Sequence, residues 1–243
     1  MKDICLYSRV AIAVALTFAS TAQAAEPTAT ALPTPSTGAS GCEVHVFPTR
    51  NFMAMNSGLL SGFGAVGAVV DVAAHADRVK TVKEVMADIL TPEAQMEQLH
   101  KVDFVKVLKL PADTAVILET PMPNAGEIKA DPAAKARSKS LQADEKAGKR
   151  LTASAARCYT ELAASYVFYQ KAAMYGTRVF TFFTYRDFRN GQAAPGTSRG
   201  MVETHTPEFP ASAPGKEEEA KAALLHTYGA DFLKWADLKL KTS

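Results

Sequence analysis

Charge of one sign, long apolar runs and cysteine are all scarce in this chain. Its 243 residues carry 27 Lys and Arg against 25 Asp and Glu. That balance gives no basic surface able to track phosphates, which argues against nucleic acid as a partner. The longest apolar run, Val10 to Ala19, is too short to span a bilayer as a mature helix. There are only three cysteines. No H-E-x-x-H helix or P-loop occurs, and neither a G-x-S-x-G nucleophile elbow nor a Rossmann glycine pattern is expected. No reaction can be named from these absences, and no cofactor or metal is implied.

The apolar run that is present reads as a signal peptide over residues 1–24. Lys2 and Arg9 make a basic n-region, and Ala22-Gln23-Ala24 supplies the small-x-small site for cleavage after Ala24. Residues 25–41, rich in Pro, Thr, Ser and Ala, hold almost nothing to bury and read as a flexible tether. The expected location is therefore the periplasm or the periphery of the outer membrane. Losing Lys2, Asp3 and Arg9 leaves the mature charge close to zero. Cys5 leaves with the leader, so Cys42 and Cys158 remain as a disulfide candidate in an oxidising compartment. Ala39-Ser40-Gly41-Cys42 also loosely resembles a lipobox, so lipidation, bridging and a free thiol all stay open for Cys42.

Residues 42–243 read as a single α+β domain: a mixed or antiparallel sheet built on a long hairpin and covered by helices on one face. The hairpin is Cys158 to Phe188, the densest aromatic and β-branched stretch, broken once near Ala172 to Gly176. Cys42 to Phe47 alternates as a short strand that places His45 on its solvent side or in a local hydrogen bond. Asp77 to Leu90 has the spacing of an amphipathic helix, and Thr91-Pro92-Glu93 restarts one to about His100. The Ala-Val-Ile-Leu run inside Thr114 to Thr120 predicts a strand at the centre of the sheet. Residues 122–151, with seven bases against three acids between Lys129 and Arg150, read as a mobile basic insertion. Asn190 to Pro214 reads as a loop, and Arg186-Asp187 as a local ion pair. Lys216 to about Lys239 reads as a helix that Gly229 could kink.

Two candidate sites follow. Small residues recur at four-residue spacing in Ser57 to Ala76, as in a glycine zipper, so Gly58, Gly62, Phe63 and Gly67 are candidates for membrane or oligomer contact. Asp71 and His75 share a helical face at i, i+4 with Asp77 nearby, a weak polar cluster able to bind metal or relay a proton.

The landmarks CEVHVFPTRNF and CYTELAASYVFYQKAAMYG…FTYRDF resemble a set of exported Gram-negative envelope proteins without an assigned activity. More distantly, the order of elements resembles the periplasmic domains of the curli-secretion lipoprotein and of the TolB N-terminal part. The resemblance implies no activity; the leading expectation is a non-catalytic envelope protein that binds or assembles with another envelope component or a membrane surface. The competing expectations are membrane association through residues 57–76, or a metal-dependent or hydrolytic enzyme using Asp71 and His75.

Overall fold

The dense run of Val, Phe, Tyr and Thr folds as its composition predicts, into two long antiparallel strands, β4 (Cys158–Ala172) and β5 (Gly176–Asp187). The computed structural model describes residues 41–57, 76–172, 176–189 and 195–241, without the side chains of 57 and 76–80. The expected signal peptide, nearly all of the tether, and Gly58, Gly62, Phe63, Gly67, Asp71 and His75 lie outside these residues.

Around the hairpin stand β1 (Cys42–Phe47), β2 (Phe52–Ser57), β3 (Ala115–Leu118) and β6 (Gly196–His205), in the order β3-β1-β4-β5-β6 with β2 also on β4. The sheet is mixed. β1 runs parallel to β3 and to β4, β2 runs parallel to β4, and β5 is antiparallel to β4 and β6. β1 lies along residues 158–163 and β2 along 167–172, so the two are one strand interrupted at Pro48, which has no N–H for a ladder. Gln95, fully buried, fills the gap. Its side chain accepts from Thr49 N and donates to Thr49 O and Leu90 O, at 2.7–2.9 Å, so that backbone groups without a strand partner are still paired.

Six helices are present among the described residues: α1 (Ala76–Ile89), α2 (Pro92–Lys101), α3 (Phe104–Val107), α4 (Ala125–Ala130), α5 (Pro132–Lys146) and α6 (Glu217–Leu240). Helices α1, α2 and α6 bury one face of the sheet. Val82, Met86, Leu99, Phe232 and Trp235 close over Val44, Val46, Leu162, Val167 and Phe183, in the amphipathic arrangement expected of helices laid on a sheet. Thr91 caps α2, accepting from Ala94 N, with Pro92 beside it.

Four expectations are corrected. β3 is an edge strand, not a central one; its apolar run is short and Leu118 stays 39% exposed, so continuous apolarity here does not mean burial on both faces. The segment 122–151 is built as α4 and α5, because Asn124 and Glu127 form a capping box and Asp131 caps α5 ahead of Pro132. Arg137 then holds α5 by donating to Thr120 O and Pro121 O. The loop expected from Asn190 includes β6, whose Gly, Ser and Arg give no strand signal but which completes the free edge of β5. Gly229 does not break α6. A Cβ there would sit 3.3 Å from Val102 and 3.5 Å from the Gln98 carbonyl, so the glycine stands where α6 packs closely on α2.

Candidate functional site: the second face of the sheet

Strand alternation sends Val44 and Val46 to the helices and Glu43 and His45 to the opposite face. On that face the residues separate into a polar end and an aromatic end. At the polar end, β1 contributes Glu43 and His45, β4 contributes Tyr159 and Glu161, and β5 contributes Arg186 directly opposite Glu161. The chain between α5 and β4, Ala147 to Arg157, crosses them as a strap.

His45 is 4% exposed, which corrects the solvent-side reading. Its Nδ1 lies 2.7 Å from Glu119 and its Nε2 3.1 Å from Glu43. A neutral imidazole has one N–H; only the imidazolium donates to both carboxylates. Burial lowers the His45 pKa, but its hydrogen bonds and attraction to Glu119 and Glu43 outweigh this and hold it above the ordinary value. For Glu43 burial works upward, and the Ser154 hydroxyl and His45 overcome it to hold the carboxyl below its usual range. Glu161 accepts from Leu151 N, Tyr159 OH and Arg186. Burial pushes its pKa up while those donors oppose the rise. With every partner a donor, the pocket is shaped for the carboxylate. Tyr159 is driven upward by burial and by Glu161 and stays a phenol, while the Arg150 guanidinium lies 4.4 Å over its ring.

Arg186 thus pairs with Glu161, and Asp187 with Arg189, in place of the Arg186-Asp187 pair expected from their adjacency. In a strand, neighbours point to opposite faces and cannot meet in that way.

The aromatic end follows a bulge between Ala164 and Tyr166. It keeps Val167 and Tyr169 in the core and turns Tyr166 and Phe168 onto the second face. Tyr166 stacks on Phe182 at 5.4 Å, and Phe168 lies tilted against Phe180 at 5.5 Å. Met53 and Met55 flank them on β2 and Met201 on β6, in register. Met201 is 49% and Met55 36% exposed, and the four rings are half-buried. On the helix side there is a separate cleft of about 610 Å³ floored by Val82, Tyr169 and Phe209, with Lys171, Lys221, Glu217 and Glu218 at its rim.

Cys42 and Cys158 are paired in register across β1 and β4, with their Cα atoms 4.4 Å apart, and form a disulfide. This removes lipidation and a free thiol as the state of Cys42 in this structure. Asp77 lies in the first turn of α1, on the face of the sheet away from His45. Among the described residues no group of His, Cys, Asp or Glu is arranged to hold a metal ion, and no helix is long and apolar enough to cross a membrane. Two glycine patterns that were not expected do occur as letters. Gly196-Thr197-Ser198-Arg199-Gly200 has G-x-S-x-G spacing, but it is extended along β6 with Ser198 opposite Tyr185, not at the strand-to-helix turn an elbow requires. Gly62, Gly64 and Gly67 have G-x-G-x-x-G spacing and lie outside the described residues. Comparison with protein-family models, with curated proteins and with solved structures finds no match.

Proposed function

We propose that this protein is a non-catalytic module of the bacterial envelope, exported to the periplasm or the outer-membrane periphery, that binds another envelope protein through the aromatic end of its sheet. The carrying observation is that patch of Tyr166, Phe168, Phe180, Phe182 and Met201 on the face opposite the packed helices, where among the described residues Met201 is 49% exposed and the rings are half-buried. The rings pair across the strands, Tyr166 stacked on Phe182 and Phe168 tilted against Phe180, which covers one side of each ring. They present edges and methionine side chains, an uneven surface suited to another protein's side chains more than to a flat sugar ring. The rim carries Arg178 and Glu203 as a mutual pair, so it offers no single-sign field for anionic lipid. The disulfide favours an oxidising compartment. Against catalysis, the cluster at the polar end is closed: Tyr159, Glu161, Arg186 and His45 are all buried and bonded to one another or to the strap.

The test is a photo-crosslinking side chain placed at Phe180 or Met201 in cells, with Leu233 on α6 as the control position. The expected result is one discrete protein adduct from the face positions only, abolished by Phe168→Glu with no change in melting temperature. Adducts to lipid alone, together with retention through a carbonate wash, would replace this reading with membrane association. Equal adducts from Leu233 would remove it.

A further inference from the structure

We propose that Glu43, His45 and Glu119 form a proton-operated fastener that holds the strap, Ala147 to Arg157, over the polar end of the sheet. The strap has little apolar anchorage. It is attached by side-chain chemistry: Thr152 to Tyr159 and, at 3.3 Å, to His45; Ser154 to Glu43; the Leu151 amide to Glu161; and the Lys149 carbonyl to Arg186. Arg150 adds its guanidinium over the rings of Tyr159 and Phe188 and a bond to Ser154 O.

The charged groups facing this network are Glu43 and His45 from β1, Glu119 from the chain leaving β3, Glu161 from β4, Arg186 from β5 and Arg150 from the strap itself. Three carboxylates meet two guanidiniums, and the imidazolium is the third cation. When His45 loses its proton, one of its two nitrogens turns a lone pair toward a carboxylate. The cluster then carries a net negative charge where water is largely excluded, which is unfavourable for groups that lack another partner. Glu119 is the more exposed of the two partners, at 22% against 12% for the Glu43 side chain, so it can turn out to water. Glu43, left with Ser154, cannot leave without releasing the strap. The disulfide lies immediately beyond the strap, at Cys158, and keeps the strand ladder closed while the strap moves.

The sign is fixed by the direction of the His45 pKa, which is raised from 6.5. The fastener is fully closed below the ordinary histidine value, and it opens as pH rises through the higher folded-state value. The experiment follows two signals in the full-length, disulfide-bonded chain: the His45 ring resonances, and amide hydrogen-exchange protection corrected for the intrinsic pH effect. Protection at Leu151 is expected to fall at least ten-fold as His45 deprotonates, while the Thr181 and Phe183 amides in β5 keep theirs. Glu119→Gln removes one carboxylate, so the His45 titration and the loss of Leu151 protection should both move to lower pH together. Leu151 protection constant within two-fold across the His45 titration overturns the proposal. So does a His45 that holds its proton up to pH 10, or a Leu151 change that does not follow His45 in Glu119→Gln. The wild-type titration decides the linkage even if the variant fails to fold.

Discussion

Among the described residues, Asp231 is the carboxylate whose ionisation should cost the fold most. It projects from α6 toward the sheet, is fully buried, and accepts from Thr181 at 2.7 Å and Thr204 at 2.6 Å. Burial is the largest influence and drives its pKa up; the two threonine hydroxyls and Lys234 oppose that, and the value settles at about 7 instead of the ordinary 3.8. A group that binds its proton more tightly folded than unfolded stabilises the fold fully below pH 3.8, and that contribution is lost as pH rises to about 7. About three pH units of difference correspond to about 4 kcal/mol, at about 1.4 kcal/mol per unit. Asp231→Asn keeps the shape, can accept from one threonine and donate to the other, and cannot ionise. Urea unfolding of both proteins at pH 4, 5.5, 7 and 8 isolates the effect, because other titrating groups cancel in the difference. The Asn variant should gain on wild type by roughly 4 kcal/mol between pH 4 and pH 8, with nearly all of the change complete by pH 7. A difference that is flat with pH, or that favours wild type as pH rises, would refute the account of Asp231 as a buried acid held mostly protonated below neutrality.

Two further outcomes test the packing. Gln95→Ala leaves the Thr49 N–H and the Thr49 and Leu90 carbonyls without their partner, and is expected to cost about 3 kcal/mol or more in chemical denaturation; a loss under about 1 kcal/mol would mean that water replaces the side chain at the break between β1 and β2. At Gly229, Ala gains about 1 kcal/mol of helix propensity but must displace Val102 by a few tenths of an ångström, so its melting temperature should stay close to wild type. Gly229→Val has no such room and should destabilise by more than about 2 kcal/mol. Equal stability of the two variants would show that the approach of α6 to α2 is not limited by this contact.

What was legible in the sequence was local. Thr91-Pro92 announces α2, and the run from Cys158 to Phe188 announces the hairpin. Cys42 and Cys158, each ahead of a strand signal, pointed to a bridge. The branched and aromatic side chains of β4 and β5 favour an extended backbone wherever they are placed, and a cap residue acts within one helical turn. The α4 and α5 caps at Asn124 and Asp131 were equally local and equally readable, but the basic composition of 122–151 obscured them.

Other features were decided only by chain segments far apart in sequence. β6 has little strand propensity of its own and is extended because β5 offers an open edge and α6 a surface to cover it. Glu43 and His45 alternate with Val44 and Val46, which reads as a solvent-facing side. They are enclosed because Glu119 lies 74 residues from His45 and Thr152 lies 107, separations at which a linear pattern carries no signal. The sequence alone therefore determined the hairpin β4–β5 and the start of α2, through short-range sterics and capping. The tertiary structure determined which polar residues are buried, since burial depends on what the fold brings over them.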